Sequence, residues 1–229
     1  MPSLKFDQVG EKYYEAGTKK CALFVIGNDN NYGNGIAWNG ITGLTVSNTG
    51  GDETALWADD IKYASLTAAE ECGGTIEAYQ CPPEFYPCDG IKELAPGVYV
   101  GQQNRSAFGL AFVTTIGNDT QKLEYGHKLH LVYGANAQPS ERAYATINDS
   151  PDAMTLSWEF TTTPVQCAGC KPVAHLEIDS RTVDATKLAA FEAIVFGQDA
   201  DTTAGTEDKV SRLPLPNEVA TFFATTTTP

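Results

Sequence analysis

The chain has 229 residues, of which 42% are apolar, enough to bury a sizeable core in one large β domain. It carries 29 acidic and 15 basic residues, a formal charge of −14, and the basic residues form no cluster able to neutralise a phosphate backbone. Tight nucleic-acid binding is therefore not expected, and on composition alone the charge serves solubility. Glycine (21), tyrosine (10) and phenylalanine (10) are plentiful and threonine recurs, which favours strands and turns. Residues 1–7 show no basic stretch leading into an apolar one, and no apolar run reaches bilayer length. The protein is expected to stay in the cytoplasm where it is made, with its six cysteines as thiols.

In chain order, residues 12–15 read as strand, 16–18 as a turn, and Cys21 to Ile26 as a second strand. Residues 27–35, Gly-Asn-Asp-Asn-Asn-Tyr-Gly-Asn-Gly, give a strong loop signal. A strand interrupted at Gly40 and Gly43 follows over 36–47, ended by 48–52. Residues 61–66 and 75–80 are extended, and the second piece alternates apolar and polar residues until Cys81-Pro82-Pro83 stops it. Irregular chain is expected over 82–97. Strands are then expected at 98–100, 108–116, 128–133, 154–161 and 174–178. One helix stands out: Asp184 as N-cap, Leu188, Phe191 and Ile194–Val195 at helical spacing, and Gly197 beyond its end. Residues 198–212 read as loop and 213–216 as extended. With no internal repeat or linker, a single domain over 1–229 is expected. An N-terminal arm covers roughly 1–12 and a frayed tail roughly 224–229.

The search for chemistry yields no catalytic, cofactor-binding or metal-ligating residue. No nucleophile elbow or phosphate-binding glycine loop occurs. His127 and His130 are spaced three apart in a strand, so they point to opposite faces and cannot grip one ion. Cys167-Ala168-Gly169-Cys170 is half of a zinc site or a redox pair, but Cys21, Cys72, Cys81 and Cys88 supply no second pair. A turn with two thiols, holding neither metal nor disulfide, is the expectation. The acidic pairs Asp59–Asp60, Glu70–Glu71 and Asp199/Asp201 lack the calcium-loop pattern and read as solvated loops. Trp38, Trp57 and Trp158 read as core or interface residues before they read as a sugar platform. No enzyme is indicated.

Several stretches carry more information by their order. Gly35-Ile36-Ala37-Trp38-Asn39-Gly40-Ile41 is followed by Ala55-Leu56-Trp57-Ala58-Asp59-Asp60-Ile61-Lys62-Tyr63, Gly73-Gly74-Thr75-Ile76 and Pro83-Glu84-Phe85. Then come Phe108-Gly109-Leu110, Tyr125-Gly126-His127-Lys128-Leu129-His130, Thr155-Leu156-Ser157-Trp158-Glu159-Phe160 and the Leu213-Pro214-Leu215-Pro216 segment. Over roughly residues 10–220 this series resembles the major tail (tail tube) proteins of long-tailed, non-contractile bacteriophages of Gram-positive bacteria. No appended immunoglobulin-like domain is present in the given chain.

The resemblance implies a mainly β fold, a sandwich or barrel with one flanking helix and extended loops. It implies hexameric rings that stack into a tube in the virion tail. The partners it implies are further copies of the chain, the tape measure and the tail terminator, with DNA passing through without tight binding and no membrane involved. Under it, part of the negative charge faces the bore and repels phosphate. The loops at 27–35 and 48–54 are long enough to reach a neighbouring subunit, or are plain surface loops. The alternatives are a carbohydrate-binding or adhesin β-sandwich, a tube protein of a contractile injection system, and a β-sandwich hydrolase.

Overall fold

The computed structural model describes residues 3–27, 29–144, 146–147, 153–200 and 208–224. It is mainly β. The chain opens with the long strand β1 (Tyr13–Val25), the two-residue β2 (Ile36–Ala37) and β3 (Ile41–Gly50). A hairpin of β4 (Glu53–Ala58) and β5 (Ile61–Thr67) precedes β6 (Glu70–Ala78). After a 3₁₀ turn at Pro83–Phe85, β7 (Lys92–Ala95) and β8 (Val98–Val100) form a small second hairpin. Next come the two central strands, β9 (Phe108–Asn118) and β10 (Lys122–Ala137), then β11 (Leu156–Thr162) and β12 (His175–Asp179). Two helices close the chain, α1 (Ala185–Phe196) and α2 (Pro216–Phe223). Among the described residues no helix is long and apolar enough to cross a membrane.

Eight strands form one antiparallel sheet in the order β2-β1-β9-β10-β11-β6-β3, with β12 also paired to β10. One edge of β10 serves two partners in succession. Lys128–Val132 pairs with β12, and Ala135–Ala137 pairs with β11. The sheet must curl, because Leu23 of β1 shares a core with Ile76 of β6 and Trp158 of β11, strands far away in the sheet order. That core also holds Trp38, Phe85, Phe108, Leu110, Phe112 and Val132. Phe85 lies within 5.5 Å, centroid to centroid, of Trp38, Phe108 and Trp158.

The other face of the central strands carries Phe24, Ala111, Val113, Leu129, Leu131 and Tyr133, covered by Leu188, Phe191 and Val195 of α1 and Val219 of α2. Burial on both faces explains why β9 reads as one continuous apolar run without alternation. In α1 the Asp184 side chain accepts from Lys187 N–H, as an N-cap should, and Gly197 follows at φ 82°. Ile194, expected on the buried face, is only half-buried. Val195 takes that place.

Four expectations change. The turn at 16–18 is a bulge inside β1: Gly17 (φ 71°) and Lys20 (φ 51°) absorb two register shifts against β9, and the strand continues. The stretch 36–47 is two strands parted at Trp38–Gly40, and β3 runs on to Gly50. The expected single flanking helix is a pair. α2 is short, opens on Pro216 at its first turn and follows a proline-rich extended segment that hides its start.

The irregular segment 82–97 contains β7 and is anchored through Asp89. Asp89 accepts from Trp158 Nε1 at 3.2 Å and pairs with Arg105 (3.3 Å) and Arg142. Of the frayed tail expected at about 224–229, residues 225–229 lie outside the described residues.

Candidate assembly surface

Among the described residues the β4–β5 hairpin is paired only with itself, as a two-stranded sheet separate from the large one. It extends the ribbon formed by β3 and β6, and Gly50 (φ 81°) and Gly51 (φ 75°) make the joint. A Cβ on Gly50 would press on the Ala69 carbonyl oxygen, so glycine is required there by space as well as by φ. Ala68 N–H donates to Asp52 C=O at 2.9 Å, which closes the base of the hairpin. At the tip Asp59 (φ 51°) and Asp60 (φ 62°) both take positive φ, the requirement of a type I′ turn.

The register sorts the hairpin's side chains. Thr54 faces Leu66, Leu56 faces Ala64 and Ala58 faces Ile61, so one side is almost wholly apolar. On the other side Lys62 and Ser65 both donate to the Glu53 carboxylate, which is held below the usual carboxylate range by those two hydrogen bonds. Tyr63 occupies the bulge and Trp57 stands opposite Lys62. Trp57 is 70% exposed and Tyr63 74%, and Leu56, Ile61 and Leu66 are also exposed. Further apolar exposure comes from Leu4, Phe6 and Val9 in the N-terminal arm. This arm is tied down where Gly10 N–H donates to Asp119 and Asn118 donates to Gly10 C=O.

The remaining candidates disperse. The 27–35 segment folds back: Gly33 N–H donates to Val25 C=O, Gly35 N–H to Ser211 C=O, and the Tyr32 hydroxyl accepts from Gly134 N–H at 2.9 Å. The 48–54 segment is the end of β3, the diglycine joint and the start of β4.

His127 meets Glu192 of α1 at 2.6 Å, whereas His130 lies on the opposite face against Phe112. All six cysteines are free thiols. Cys167 and Cys170 sit in a turn closed by Cys170 N–H to Cys167 C=O, with desolvation and the Cys170 contact raising the Cys167 thiol's pKa. Asp59–Asp60 is the hairpin tip, and Glu70 and Glu71 are consecutive in β6 and so face opposite sides. Asp201 lies outside the described residues. Trp38 and Trp158 are buried core and only Trp57 is exposed. Sequence reasoning missed the apolar side of the hairpin, although the alternation of Leu56, Ala58 and Ile61, Ala64, Leu66 around Asp-Asp signals it.

The fold and this surface define a mainly β protein with a separately paired hairpin, apolar along one side. No protein-family model matches the chain, and no curated protein is significantly similar to it.

Proposed function

We propose that the chain is a structural, self-assembling subunit, the major tail protein of a long-tailed bacteriophage, which stacks as hexameric rings into the tail tube. The observation that carries this reading is the β4–β5 hairpin, exposing Leu56, Trp57, Ile61, Tyr63 and Leu66 on an element that, among the described residues, pairs with no other strand. An isolated two-stranded hairpin is marginal in water, and its open backbone edges invite another chain. A second subunit covering it removes both costs at once. A head-to-tail contact that closes around one axis gives a ring, and one that repeats along the axis gives a filament. The charge of −14 without a basic patch suits a wall that DNA slides past. The tape measure and tail terminator are the further partners this reading entails.

The test is direct. Concentrated protein should form rings or hollow rods in negative-stain micrographs. Residues 53–67 can be replaced by a short Gly/Ser turn, since Asp52 and Ala68 already hydrogen-bond. That variant should keep its circular dichroism spectrum and lose assembly. A parent chain that stays monomeric at millimolar concentration, even with its tail partners added, overturns the assignment.

A further inference from the structure

We propose that His130, His175 and Glu177 form a binding site for one divalent cation of the zinc class, clipping β12 to β10. His130 and Glu177 are directly opposite each other in the β10–β12 ladder, and His175 lies two residues before Glu177 on the same face. His130 Nδ1 is 3.2 Å from His175 Nε2 and 3.6 Å from Glu177 Oε1, and the three ligand atoms lie within 4.8 Å of one another. Tetrahedral zinc with bonds of about 2.0–2.1 Å sets neighbouring ligand atoms about 3.3 Å apart. The histidine pair already has this spacing, and Glu177, on a side chain 45% exposed, can swing inward to complete it. A fourth position is left for water on the open side.

The surroundings hold the ligands in place. The His130 ring stacks on Phe112 at 4.6 Å with 5° between planes and runs parallel to His175. Its Nε2 lies 2.9 Å from Thr114 Oγ1, so the tautomer that donates Nε2–H to Thr114 leaves the Nδ1 lone pair facing the site. Lys128 Nζ holds the other carboxylate oxygen of Glu177 at 3.4 Å and is itself paired with Glu15, which leaves Glu177 Oε1 for the metal. Both rings are buried enough for desolvation to lower their pKa values. In the absence of a metal, a hydrogen bond joins His130 Nδ1 and His175 Nε2.

Tag-free full-length protein, stripped by dialysis against chelator, should be titrated with zinc chloride by calorimetry at neutral pH. One zinc per chain and a raised melting temperature are expected. Glu177→Gln and His175→Gln, each with an unchanged circular dichroism spectrum, should weaken binding by at least about tenfold. The double variant Cys167→Ser/Cys170→Ser should bind as the parent does, and cobalt(II) should give tetrahedral bands without thiolate charge transfer. Two results overturn the proposal: no stoichiometric zinc uptake, or uptake abolished by the cysteine variant and indifferent to His175 and Glu177. Neither result touches the tube reading, which the hairpin variant tests separately.

Discussion

At Gly134 the backbone takes φ 59° between the two partners of β10, and a Cβ there would collide with the Thr163 carbonyl oxygen. This one residue lets β10 leave β12 and join β11. Gly134→Ala should cost more than about 1 kcal/mol in urea unfolding, because neither the φ nor the space suits a side chain. A second residue-scale expectation concerns pH in metal-free protein. His130 titrates near 6.5 when unfolded but is held down to about 4 by burial in the fold, with His175 and Lys128 adding to the depression and Glu177 and Glu15 opposing it. Between those values the unfolded chain binds more protons at this residue, so the His130 contribution to stability falls as pH drops from about 6.5 to about 4 and levels off below. His130→Gln should flatten that slope in denaturation midpoints measured across the range.

At the scale of elements, α1 is held by one aromatic knot. Phe191 is fully buried and its ring centroid lies 5.3 Å from Phe222 and 5.1 Å from Phe223 of α2. Phe191→Ala should therefore cost about 3–5 kcal/mol, read by thermal or chemical denaturation. The β4–β5 hairpin predicts the reverse pattern. Trp57→Ser removes a ring that is 70% exposed, so it should change stability by no more than about 0.5 kcal/mol while sharply reducing light scattering by assemblies. α1 was legible in the sequence because cap, spacing and terminal glycine agree within a dozen residues. α2 was not, since Val219, Phe222 and Phe223 make too short a pattern behind Pro214 and Pro216. At Gly17 a glycine with positive φ serves a turn and a bulge alike, and only the β9 register tells them apart.

Over the whole molecule, the mainly β class was legible from strand-like runs and turn residues, and the sheet order was not. Nothing local says that β12 pairs with β10 while β11 pairs with β6, because those choices come from burying two faces at once. The same non-locality hid the histidine pair: His130 and His175 are 45 residues apart, and only the β10–β12 register brings them to 3.2 Å. The acidic balance leads to a prediction at this scale. Assembled protein should not retard duplex DNA in a gel shift at physiological salt, since a chain of charge −14 has no cation cluster to release counterions. Retardation that fades as salt rises would refute the repulsive bore.

Lys62 is the only lysine or arginine between Glu53 and Thr67, and it sits beside the hairpin tip on an exposed strand. Within the hairpin, trypsin should therefore cut the free subunit at this bond, because cleavage favours exposed chain near loop tips. Once a neighbour covers the hairpin, the same bond should become resistant. On the assembly proposed above, the ratio of nicked to whole chain in a mixture of subunits and polymer would serve as a clock for assembly.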